Sequence, residues 1–167
     1  MSTPTPTEET ELAREWRLEV NMGTDEAPDW QLCPGVRAFK PSSEPNLEDS
    51  GDYDSGGWGG NEKTAQSWEV AVTIRRKANK AAKKYHPVHE AIRLAHFAYG
   101  AANKVHLRYM SRTGMPEAYE GKAVPNWQPA GGERTALGEV EITFTGDGPL
   151  TPIDNPLAED EDEEGGA

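Results

Sequence analysis

The chain has 167 residues and a formal net charge of −12, with 35% hydrophobic and 8% aromatic residues, enough for one modest core with tails. It contains no apolar run approaching the roughly 20 residues of a membrane-spanning helix, and its start, MSTPTPTEETELAREW, lacks the basic opening and apolar stretch of a secretory leader. Cys33 is the single cysteine, which excludes an internal disulfide and any site that needs two thiolates.

In chain order, residues 1–13 are Thr/Pro/Glu-rich and read as a flexible tail. In Glu15–Met22, Trp16, Leu18, Val20 and Met22 alternate with Arg17, Glu19 and Asn21, the period of a strand with one face buried. A turn follows at Gly23–Pro28. Asp29–Lys40 reads as a strand broken by Pro34-Gly35. The stretch of about 41–66 carries four acids, Glu48, Asp49, Asp52 and Asp54, then four glycines, Gly56, Gly57, Gly59 and Gly60, around Trp58; with Tyr53 it reads as a long loop. Ser67–Arg75 alternates Trp68, Val70, Val72 and Ile74. Residues 87–102 open with Pro87 at a helix N-terminus and Glu90 in the first turn. They place Val88, Ala91, Ile92, Ala95, Ala98 and Tyr99 on one face, widened by Leu94, beside a polar stripe of His89, Arg93, His96 and Gly100. Lys104–Arg112 and Glu139–Thr145 alternate again, and Glu120–Trp127 carries a fainter strand signal. Residues 154–167 form an acidic tail with six consecutive acids, Glu159 to Glu164. The expected fold is mainly β (α+β): two packed antiparallel sheets, sandwich- or barrel-like, with one flanking helix, over residues 14–153.

The charge is segregated. Residues 1–74 hold 15 acids and 5 bases, residues 75–122 hold 3 acids and 11 bases, and residues 123–167 hold 11 acids and 1 base. Arg75, Arg76, Lys77, Lys80, Lys83 and Lys84 crowd into ten residues. They lack the interleaved aromatics of a nucleic-acid surface. The bland reading is a solvated link before the helix; the sharper one is a surface that meets acids of another copy.

Catalytic and metal motifs fail on inspection. Asp52-Tyr53-Asp54 opens like a calcium loop, but its fifth position is Gly56 and its twelfth is Lys63, where a bidentate Glu is needed. Among the histidines His86, His89, His96 and His106, His89 and His96 lie about 10 Å apart along a helix axis, and Arg93 stands where HExxH needs its second His. No GxSxG, P-loop or GxGxxG is present. The expectation is a protein without enzymatic activity, cofactor or metal.

The order of parts nevertheless has a likeness. An N-terminal strand leads through Pro34-Gly35-Val36 to Phe39-Lys40-Pro41. Then come LEDSGDYDSGGW, the Trp-led strand SWEVAVTIRRKA, one helix in HPVHEAIRLAHFAYG and a last strand EVEITFTGDGP. This order resembles the major tail tube proteins of long-tailed bacteriophages, over roughly residues 15–153. The resemblance implies a sandwich with a flanking helix, and six-membered rings that stack head to tail into a hollow virion tube. It implies residues 41–66 as an arm reaching neighbouring copies. The implied partners are further copies of itself, a tape measure protein in the lumen and tail tip or terminator proteins, with DNA only in transit. The chain would be made in the host bacterial cytoplasm. On this reading Glu48, Asp49, Asp52, Tyr53, Asp54 and Trp58 face Arg75, Arg76, Lys77, Lys80, Lys83 and Lys84 of another copy. The alternatives are a ligand-binding sandwich using Trp30, Trp58 and Trp127, another virion protein such as a tail terminator or head decoration protein, and an enzyme built on the histidine stripe.

Overall fold

The computed structural model describes residues 10–158. Ten strands and one helix account for most of them: β1 (Trp16–Asn21), β2 (Trp30–Leu32), β3 (Val36–Asp49), β4 (Asn61–Arg75), β5 (Ala78–Asn79), β6 (Lys84–Tyr85), α1 (Pro87–Phe97), β7 (Val105–Ser111), β8 (Ala118–Pro129), β9 (Glu139–Gly146) and β10 (Thr151–Pro152). The expected mainly-β class with one helix is what the chain forms. The two layers, however, are parts of one continuous antiparallel ladder in the order β2-β1-β7-β8-β9-β4-β3, with β10 added to β8. The ladder curls until its ends approach, and Phe39 of β3 meets Trp16 of β1 and Tyr109 of β7 with ring centroids 5.9 and 5.3 Å apart.

Alternation determines what lies inside the curl. Leu18 and Val20, Val70, Val72 and Ile74, Leu107 and Tyr109, and Val140, Ile142 and Phe144 project inward from four strands and are buried. Val88, Ile92 and Ala95 of α1 join the same core. Each inward Val, Ile or Leu stabilises the fold by roughly 1.5–3 kcal/mol relative to exposure. Asp29–Lys40 does break at Pro34-Gly35, as expected, into β2 and β3.

Four differences from the sequence reading have physical causes. First, α1 stops at Phe97 rather than near residue 102: Ala98 is extended, and Gly100 takes φ +69°, a left-handed conformation that starts a short 3-10 turn. Tyr99 (92% exposed), past the helix end, therefore leaves the buried face, and Leu94 (57%), though within α1, lies outside that face and does not widen it. Second, the weakly signalled Glu120–Trp127 belongs to the 12-residue strand β8. Pro125 is tolerated because β7 pairs no further than Ala123. Beyond it α1 flanks β8, and the Trp127 N–H donates to His96 Nδ1 at 3.3 Å. Third, the chain stays anchored past residue 153. Buried Asn155 donates to the carbonyls of Ser111 (2.9 Å) and Met115 (2.7 Å), and Pro156–Ala158 form a 3-10 turn. The six-acid run, and the tail residues before Thr10, lie outside the described residues. Fourth, residues 41–66 are not an irregular loop but most of a hairpin.

Candidate functional site

That hairpin is the most conspicuous surface feature. β3 and β4 pair from Val36↔Ile74 to Asp49↔Asn61, with irregularities after Val36 and Asn46. The inner alternation of β4 ends at Trp68, because Asn61–Ser67 offers no large apolar side chain to bury. Every residue of Ser42–Asp49 and Asn61–Ser67 is exposed, so the hairpin leaves the body as an arm with neither face covered. The far edge of β3 is the end of the ladder and carries no partner strand among the described residues. Pro41 and Pro45 interrupt its row of N–H groups.

The tip is held by its own carboxylates. Asp52 Oδ1 accepts from the Asp54 N–H (2.9 Å) and the Ser55 hydroxyl (3.1 Å). The Asp52 N–H donates to Ser55 Oγ at 2.9 Å. Asp49 Oδ1 accepts from the Gly51 N–H at 2.8 Å. These bonds cap the 3-10 turn Tyr53–Ser55. They leave Tyr53 wholly exposed and Trp58 82% exposed. Among the described residues, Glu48, Asp49, Asp52 and Asp54 take part in no ion pair.

The six bases lie at the other end of β4. There β5 and β6 form a small, exposed hairpin that links β4 to α1. Two of the bases are engaged at home. Arg75 approaches Glu139 at 3.9 Å. Arg76 is half-buried, 3.7 Å from Glu90, with its guanidinium 3.6 Å above the Tyr85 ring. Glu90 also holds Arg93 at 2.7 Å; that bond, with the nearby Arg76 charge, keeps the Glu90 carboxyl below the usual range. Among the described residues, Lys77, Lys80, Lys83 and Lys84 make no ion pair. The last three line a shallow hollow of about 360 Å³ with Ala78, Asn79 and Tyr85. The tip acids lie beyond one end of the 15-residue β4 and these lysines beyond the other, and the strand between them has a path of about 45 Å. They do not meet within one copy.

Trp68 joins arm to body, a role that alternation alone does not reveal. Its indole is buried, and Nε1–H donates to the Gly148 carbonyl at 3.0 Å. The ring lies flat against two glycines: a Cβ at Gly121 would sit 2.7 Å from Cζ2, and one at Gly146 would collide with Cε2 and Nε1.

The alternative sites come apart. Trp127 is buried in the core, and Trp30 is sandwiched against His106 (4.8 Å) and Arg108 (4.4 Å). With Trp58 out on the arm tip, the three indoles share no ligand face. His89, expected on a polar stripe, is completely buried; its Nε2 bonds the Pro34 carbonyl at 2.8 Å and its Nδ1 has no partner. Burial depresses its pKa. His106 sits between Glu120 (3.1 Å) and Asp25 (3.5 Å). Among the described residues no three His, Cys, Asp or Glu converge as a metal set. Cys33 is buried, and burial pushes its thiol up to about 12.

The curled ladder with one helix and a projecting hairpin is the tail tube fold. The chain is similar to a subunit of the virion of a native gene transfer agent particle, at TM-score 0.65 and 13% identity, over 86% of this chain and 99% of that one. It is similar to the SPP1 tail tube at TM-score 0.62 and 12% identity, over 89% and 83%. A chain of the sheath–tube complex of PVC, an extracellular contractile injection system, gives TM-score 0.58 and 12% identity, over 88% and 95%. No protein-family model and no curated sequence matches the chain.

Proposed function

We propose that the chain is a structural subunit that polymerises as stacked six-membered rings into a hollow virion tail tube, the conduit for DNA during ejection. The observation that carries this reading is the arm. A two-faced, unburied hairpin is unstable as an end in itself, and one that ends in exposed Tyr53 and Trp58 is made to be covered. The segregated charges support the same reading. Tip acids and root lysines beyond opposite ends of the 15-residue β4 are complementary only between copies, and head-to-tail contact of unlike ends builds open filaments. A free β3 edge is safest when another copy's strand continues the ladder around a ring. The fold is shared with proteins of tail tubes, and one similar chain comes from a gene transfer agent tail refined with C6 symmetry. In this role the chain carries no catalytic step and no cofactor. Tape measure, tail tip and terminator proteins are its further partners, and DNA passes without specific binding.

Negative-stain microscopy of concentrated protein and of particles that contain it gives the direct test, with rings or tubes expected. Strict monomers at high concentration, together with particles lacking the chain in their tails, refute the reading. Charge reversal tests the contact. Lys80, Lys83 and Lys84 changed together to Glu abolish assembly while the subunit stays folded, and Glu48→Lys with Asp54→Lys, which spares the capping carboxylate of Asp52, partly restores it. Arg75 and Arg76, first candidates from sequence, are the poorer choice because each is engaged within its own subunit.

A further inference from the structure

The ladder does not close completely where its ends approach. Because β2 is only three residues long, the start of β1 faces the start of β3 across a seam. A groove of about 590 Å³ opens there, with Trp16 and Phe39 among its apolar lining and Arg14, Arg37 and Arg112 around it. Arg37 reaches Glu139 at 3.3 Å. Arg112 donates to the Trp16 carbonyl at 3.3 Å, and among the described residues no carboxylate lies within 4 Å of Arg14 or Arg112. Of the nearby acids, Glu11 accepts from the Ser111 hydroxyl and Glu117 from the Tyr119 hydroxyl, and Glu15, beside Arg14 in the chain, makes no ion pair among the described residues. Three arginines on an apolar seam suit an anionic segment.

The described chain ends beside this groove. Ala158 and Leu157 pack against Gly114, two residues from Arg112, and Asn155 ties the same segment to Ser111 and Met115. The residues that come next are Glu159-Asp160-Glu161-Asp162-Glu163-Glu164, a run that reaches about 20 Å when extended. We infer that this acidic run is the occupant of the seam groove in its own subunit, lying across Arg14, Arg37 and Arg112. Tethering supplies the acids at a high effective concentration, so several individually weak exposed pairs suffice. The inference does not depend on the tube reading.

The test is arginine labelling with phenylglyoxal, read by mass spectrometry, on three proteins: the full chain, a chain ending at Ala158, and a full-length chain in which the six acids are changed to Gln or Asn. Removing or neutralising the run is expected to raise labelling of Arg14 and Arg112 about two- to fivefold, the change a weakly held tethered segment gives. Arg134, in an exposed turn before β9, keeps its rate and serves as the reference. About 0.5 M salt should erase the difference by screening. Mixing the full chain with a ¹⁵N-labelled chain ending at Ala158 separates the two sources of acid, because occupation within one subunit leaves the heavy chain unprotected. Equal rates in all three proteins overturn the inference. So does protection that survives salt, and so does protection passed to the heavy chain.

Discussion

Changing Gly146 to Ala is the sharpest probe of how arm and body are joined. The added methyl would sit 2.6 Å from Trp68 Cδ1 and closer still to Nε1 and Cε2, so the indole must move. It has little room to do so, since Gly121 presses on the other end of the ring and Gly148 holds Nε1. Overpacking a full core costs about 1–3 kcal/mol. Losing the indole hydrogen bond adds about 1 kcal/mol, giving about 2–4 kcal/mol together. Truncating the ring itself, Trp68→Ala, sets the scale at about 3–5 kcal/mol. Urea unfolding of the subunit measures both, with tryptophan fluorescence for Gly146→Ala and circular dichroism for Trp68→Ala. A Gly146→Ala variant within about 0.5 kcal/mol of the parent refutes the reasoning. A second check is coupling: Gly146→Ala placed on Trp68→Ala should cost much less than on the parent, because the two residues share one contact.

Three further outcomes follow from the same geometry. Arg76→Glu destabilises the subunit by about 1–3 kcal/mol, through loss of the stacking on Tyr85 and repulsion from Glu90; a variant that unfolds like the parent in urea contradicts that placement. His89 binds its proton less readily folded than unfolded, so its contribution is complete above the ordinary value of 6.5 and is lost as pH falls below it. Denaturation at pH 7.5 and at pH 5.5 should therefore differ less in His89→Gln than in the parent, and an unchanged difference removes His89 as the cause. Cys33 should resist thiol reagents at pH 8 until the protein unfolds, because the buried thiol stays protonated; rapid labelling of the native subunit would mean that it is not buried.

The sequence shows its core through period-two alternation, and β1, β7 and β9 fall within a residue or two of where that pattern puts them. Alternation is silent wherever a strand buries nothing. Asn61–Ser67 and Ser42–Asp49 are strands because they pair with each other, not because one face is apolar, so they read as loop. β8 was faint because Gly121, Pro125 and Asn126 interrupt its pattern. The first makes room for Trp68, and the second lies where α1 has replaced a neighbouring strand. His89 misled because its polarity is satisfied by one carbonyl, Pro34, that is distant in sequence. The acids and aromatics of the arm tip and the basic cluster were legible from composition. Their placement at opposite ends of one strand was not, since it depends on β4 running unbroken through its exposed half.

A long lever magnifies the error of its mounting. The arm extends seven residues beyond Trp68 to Asn61, about 23 Å of strand. A ten-degree swing at that mounting carries the far end by about 4 Å, close to the spacing between neighbouring strands. Whatever the tip engages, a displacement of that size is the difference between meeting one partner group and meeting the next. Two missing Cβ atoms under an indole are thus a gauge: they set the angle at which every copy presents its arm, far from the residues that make contact.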